Sequence, residues 1–301
     1  MNFILIAICI LAGLILRSSG ILPENSHKGI NTWILYIAMP AMALLYIPSI
    51  EWSSSLILPL AMPLLVWSGA WLTLKLFARS MALDPKTQAA LLLTAGLGNT
   101  SFIGFPLTQA YFGDEGLRIA IICDQISFVV LSTVGMITAI KGSQSTGRGK
   151  RGMIKNVLRF PPFLAFIAAL IIPRHPDLAW LNPLLTKLAA TLVPLALFSV
   201  GSQIRFAEWK RELAPLSLGL GYKLLIAPAF VLCAALAFHV RGIVAQASIF
   251  EAAMAPMVTS AILATEYRLN PRISNLMVSL GIVLSILTTA LWWFILRALL
   301  S

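Results

Sequence analysis

A chain of 301 residues with 59% hydrophobic and 11% charged residues, and a mean hydropathy of +0.89, falls outside the composition of water-soluble globular domains. Its three cysteines, Cys9, Cys123 and Cys233, sit singly in apolar runs, which excludes a disulfide framework and a CxxC metal site and leaves them as packing residues. The net charge of +11 is dispersed among the segments between apolar runs, so it marks membrane topology and not a nucleic-acid interface.

Apolar runs of membrane-spanning length recur along the chain and predict ten spans: 2–18, 29–48, 54–77, 87–112, 117–140, 157–172, 182–202, 214–238, 242–265 and 272–299. No basic residue precedes the first run and no small-residue cleavage pattern follows it, so it reads as a retained helix and not a signal peptide. Most connections are short. The exception runs from Lys141 to Arg159: its first half is Gly/Ser-rich, and its second carries Met153, Ile154, Val157 and Leu158 on one helical face, a pattern suited to the membrane surface. The predicted domains are therefore a first five-helix unit at 1–140, a basic cytoplasmic linker at 141–156 and a second five-helix unit at 157–301.

With the N-terminus outside, 16 of the 22 Lys and Arg residues fall in inside loops or helix ends, and only Arg118, Arg174, Arg241 and Arg297 fall outside. Lys187 and Lys223 lie within spans. This predicts a multi-pass protein of a bacterial inner membrane with both termini periplasmic.

An odd number of crossings per unit inverts the second unit relative to the first. Three landmarks recur at a nearly constant shift: Pro40 and Pro194 at 154, Glu51-Trp52 and Glu208-Trp209 at 157, Tyr111 and Tyr267 at 156. The predicted fold class is all-α, with ten transmembrane helices in two inverted five-helix repeats.

Span four contains Gly96-Leu97-Gly98-Asn99-Thr100-Ser101-Phe102-Ile103-Gly104-Phe105-Pro106-Leu107, a poor recipe for a continuous helix. Span nine contains Glu251-Ala252-Ala253-Met254-Ala255-Pro256-Met257-Val258-Thr259-Ser260, interrupted at the corresponding depth. Backbone groups freed inside a bilayer need protein or water partners. Two such interruptions predict discontinuous helices four and nine that cross at the midplane.

These two segments resemble the auxin efflux carrier family, whose bacterial members include malate- and malonate-permease-like proteins; Ser101 stands where that family has Gly. The resemblance extends over essentially the whole chain. It implies a scaffold bundle of spans 1, 2, 6 and 7, a transport bundle of spans 3–5 and 8–10, and a substrate site at the crossover, carried here by Asn99, Pro106 and Pro256. Bile-acid sodium symporters and sodium/proton antiporters share that architecture, so fold alone selects neither substrate nor coupling ion.

Asn99 offers a donor and an acceptor beside the break, and Thr100, Ser101, Thr259 and Ser260 offer hydroxyls. Ionisable groups inside a bilayer are costly and mark function. Glu251 reaches the crossover as an ion-coupling group, and Asp124 with Gln125 lies in the same bundle, where Asp124 either couples ions or pairs with Lys223. Lys187 snorkels outward from a span end. Na+ and H+ both remain open as coupling ion, Na+ at Glu251 and Asn99; no cofactor, metal centre or catalytic residue is expected, since no nucleophile and base are paired.

The expected function is a secondary carrier that moves a small organic anion by a rocking or elevator motion. The alternatives are a sodium-coupled symporter of an amphipathic acid and a channel or sensor. Expected partners are the organic acid and the lipid bilayer, with a homodimer left open.

Overall fold

The structure, a computed structural model, describes residues 2–23, 25–50, 53–143, 161–171, 180–204 and 212–300. Most of the 141–156 linker, the start of predicted span six at 157–160 and the landmark pairs Glu51-Trp52 and Glu208-Trp209 lie outside the described residues. The described chain is helical, and its one strand-like feature is an isolated antiparallel bridge between Gly98 and Pro256.

Among the described residues, six helices are long and apolar enough to cross a membrane: α2 (Ser26–Tyr46), α3 (Ser54–Phe77), α5 (Thr100–Gly142), α7 (Asn182–Gln203), α8 (Leu213–Ala237) and α11 (Pro271–Leu300). The shorter described helices are α1 (Asn2–Ser18), α4 (Pro85–Gly96), α6 (Pro161–Ile171), α9 (Gly242–Ala252) and α10 (Val258–Glu266). The chain is thus a multi-pass membrane protein. In its most apolar window α5 is 67% buried against 33–44% for the other five long helices, which makes it the central helix. Large apolar side chains such as Trp71, Leu76, Leu287 and Phe294 point outward, as a lipid-facing surface requires.

At about 1.5 Å per residue, the 43 residues of α5 would span about twice the hydrocarbon thickness of a bilayer. Gly113 resolves this with φ 67° and ψ −162°, a conformation almost reserved for glycine, and splits α5 into arms 100–112 and 114–142. Sequence reasoning begins span five at 117; the helix resumes already at Asp114, because one glycine suffices to turn the chain.

Among the described residues, three of the four wide π-helical turns lie just before a proline: 34–38 before Pro40, 100–104 before Pro106 and 222–226 before Pro228. A proline ring collides with the carbonyl four residues earlier, and a widened turn makes room for it. The carbonyl of Leu224, four residues before Pro228, instead accepts from the Trp292 indole at 2.9 Å.

Two groups of helices pack internally. In one, α1 packs on α7 and α2 packs on α6 and α7. Gly13 faces the Phe198 carbonyl and Gly201 faces the Ile10 carbonyl, so α1 and α7 approach backbone to backbone. Trp33 donates to Thr191 Oγ1 at 2.9 Å, tying α2 to α7. In the other group, α3 packs on α4 and α8, α9 on α5, and α11 on α4 and α10. The two groups meet where α7 covers the 100–104 turn of α5.

Candidate functional site

Between α4 and α5, and between α9 and α10, the chain leaves helical geometry and the two gaps meet. Asn99 N–H donates to the Ala255 carbonyl at 2.7 Å and Met257 N–H to the Leu97 carbonyl at 3.0 Å, closing the Gly98–Pro256 bridge. Each break thereby satisfies part of the backbone the other exposes. Both glycines near the bridge are dictated by contact. A Cβ at Gly104 would overlap the Glu251 carboxylate, and one at Gly281 would overlap the Pro256 ring.

Four helix ends converge here. The N-termini of α5 and α10 bring partial positive charge, and the C-termini of α4 and α9 bring partial negative charge. Asn99 caps α5: its Oδ1 accepts from Phe102 N–H at 3.1 Å. The cap occupies one of the two lone pairs of Oδ1. Asn99 Nδ2 is buried with no hydrogen-bond partner among the described residues.

Thr100 Oγ1 donates to Asp124 Oδ1 at 2.7 Å. Gln125 Nε2 stands 3.5 Å from Asp124 Oδ2, at the outer limit of a hydrogen bond, and its Oε1 is buried without a partner among the described residues. Glu251 Oε1 accepts from Thr108 Oγ1 at 2.6 Å, while Oε2 has no partner among the described residues. Ser260 donates back to the Met257 carbonyl at 2.6 Å, which takes up its hydroxyl hydrogen, and Thr259 is exposed.

The pairing of Asp124 with Lys223 is corrected by the geometry. Lys223 donates to the Ala252 carbonyl at 2.6 Å, and the acid to which it is electrostatically coupled is Glu251. Thr108 was missed by sequence reasoning, although its signal is simple: Gly104 and Thr108, four apart, share one helix face, which receives the Glu251 carboxylate.

Beside the crossover a cavity of about 390 Å³ opens between α1, α2 and α7 on one side and α5 on the other. Met42, Tyr46, Pro106, Gln109 and Pro194 are among its lining residues. Of the predicted substrate residues Pro106 alone lines it; Asn99, Thr100 and Pro256 are buried behind this wall. Among the described residues, no three His, Cys, Asp or Glu side chains cluster as metal ligands.

A helical membrane protein whose interrupted helices meet in a buried polar centre belongs to the class of membrane transporters. The family model described as membrane transport protein matches residues 2–151 and 150–293, and the chain belongs to this family, that of the auxin efflux carriers. It is 26% identical over 295 residues to an uncharacterized transporter of Methanothermobacter thermautotrophicus, with 95% of each chain covered. It is 25% identical over 308 residues to one of Methanocaldococcus jannaschii, covering 97% of each. An uncharacterized transporter of Escherichia coli is 24% identical over 241 residues, 77% of this chain and 73% of that protein.

Proposed function

We propose that this transporter is a secondary carrier of a small organic anion, a carboxylate, working by alternating access across the cytoplasmic membrane. The observation that carries the reading is the Gly98–Pro256 bridge with, beside it, an Asn99 Nδ2 that has no partner among the described residues. Two helix N-termini and an amide N–H donor without an acceptor form an environment that favours a carboxylate, and the adjoining cavity has room for a small one. Pro106 and Gln109 form the wall through which the acid approaches. Asp124, Gln125 and Glu251 are the groups through which movement is coupled to an ion.

The proposed architecture is ten crossings in two inverted halves, 1–140 and 157–301, joined by the 141–156 linker, with both termini on the outer side. Contacts between residues 156–158 apart support it: Trp33 with Thr191, Val66 with Tyr222, and Gly98 with Pro256. Under a two-fold rotation relating the halves at that shift, a residue that touches its own counterpart lies on the axis. α1, α2, α6 and α7 then serve as scaffold and the remaining helices as the moving bundle.

The test is a thermal-shift screen of organic acids on the purified, detergent-solubilised protein. At a ligand concentration of about 100 Kd the stabilisation is about 2.7 kcal/mol, well within detection. Stabilisation by at least one carboxylate, lost in Asn99→Ala, is expected. Unchanged binding of the best acid by Asn99→Ala overturns the site assignment.

A further inference from the structure

Lys223 is fully buried in the wide turn of α8 and does not reach for water as lysines near span ends do. Its Nζ donates to the Ala252 carbonyl at 2.6 Å. It also lies against the bridge, since a Cβ at Gly98 would come within 3.2 Å of Nζ. Ala252 is the last residue of α9 and stands four residues before Pro256, so its carbonyl belongs to the unsatisfied, negative end of an interrupted helix. One residue earlier, Glu251 adds a carboxylate whose Oε2 has no donor among the described residues. A helix-end carbonyl, a carboxylate oxygen and unwound backbone are the groups that hold an alkali ion at such crossings.

At the other break the environment differs. The end of α4 is covered by the Trp67 ring, which a Cβ at Gly96 would approach to 2.8 Å. Trp67 precedes Lys223 by 156 residues, the shift relating the proposed halves. An ammonium thus stands at the end of α9, whose last turn carries Glu251, and an aromatic ring at the end of α4, whose last turn carries no acidic residue.

We propose that Lys223 is a tethered cation that takes the place of a coupling sodium ion at the α9 end, so that the crossover binds no sodium in the native protein. The consequence for transport rests on the carrier reading; the cation site itself does not. Removing the ammonium while keeping Glu251 uncovers a site for a free alkali ion.

The test compares thermal unfolding of the full-length detergent-solubilised protein in sodium chloride and in choline chloride. Wild type and Lys223→Arg are expected to unfold at the same temperature in both salts. Lys223→Ala is expected to be less stable in choline and to recover by about 2–4 °C or more in sodium. Adding Glu251→Gln to Lys223→Ala removes the charge demand and the sodium response with it. A specific rise of the wild-type unfolding temperature in sodium overturns the proposal without any variant, and so does a folded Lys223→Ala that ignores sodium. If Lys223→Ala does not fold in either salt, the wild-type comparison decides. Because none of these readouts needs a transported substrate, failure of the acid screen and failure of this inference are separate results.

Discussion

Thr108 and Gly104 hold the Glu251 carboxylate from one face of α5, the hydroxyl by donating to Oε1 and the glycine by leaving room. Thr108→Val keeps the shape and removes the donor from a fully buried carboxyl, so a loss of about 1–3 kcal/mol is expected. Gly104→Ala drives a methyl group into the same carboxyl and is expected to destabilise by about 1–3 kcal/mol. Unfolding temperatures in detergent check both, and a neutral Gly104→Ala contradicts the packing. The glycines and prolines of the crossover were legible in the sequence because irregular backbone inside a bilayer demands those residue types. The partners of Glu251 and Lys223 were not. They depend on how α8 and α9 are rotated about their axes, which an almost uniformly apolar helix surface leaves unmarked.

Helix boundaries are set by local chemistry that is visible in the loops. Asp84 caps α4, accepting from Lys86 and Thr87 N–H at 2.9 and 3.0 Å and from the Thr87 hydroxyl at 2.6 Å. The Thr87 hydroxyl also accepts from Asn270, the residue that caps α11. The hydroxyl bond from Thr87, helped by the cap amides, holds the Asp84 carboxyl below the usual carboxylate range. A depressed value in the folded state means that the stabilisation is complete above the unfolded value, about 3.9, and is lost as pH falls through the folded one. The stability difference between wild type and Asp84→Ala, about 1 kcal/mol at neutral pH, is therefore expected to persist to about pH 5 and to shrink below about pH 4. A difference that instead grows on acidification contradicts the cap.

Among the described residues, three helix ends use a non-glycine residue in left-handed conformation: Ala82, His239 and Arg268. At each of them the two hydrogen bonds of a Schellman motif close, as in Leu83 N–H to the Ala78 carbonyl at 3.0 Å. His239 is exposed, and His239→Gly relieves the Cβ strain with an expected gain of about 0.5–1 kcal/mol, read as a higher unfolding temperature. Substitution of Gly113 runs the other way: its φ and ψ admit almost no side chain, so Gly113→Ala is expected to destabilise the turn between the arms of α5.

For the whole molecule, the regularities that favour two inverted halves are backbone features more than side-chain identities. Positive φ angles recur at Ala82 and His239, 157 apart, and at Gly113 and Arg268, 155 apart, although the residue types differ. Sequence comparison of the proposed halves sees little of this, because the shared property is a turn and four different residues fill it. Composition made the membrane class legible, and the family follows from the match over residues 2–151 and 150–293. The cavity between the two helix groups was not legible, since its lining joins Met42 and Tyr46 to Pro106 and Pro194 from helices far apart in sequence.

Counterflow in proteoliposomes tests the carrier reading most directly. Vesicles loaded with an unlabelled acid identified by the thermal screen are expected to accumulate the labelled acid transiently above equilibrium, with saturable rates, and Asn99→Ala is expected to abolish the overshoot. Non-saturable equilibration without any overshoot, identical in wild type and Asn99→Ala, would contradict it.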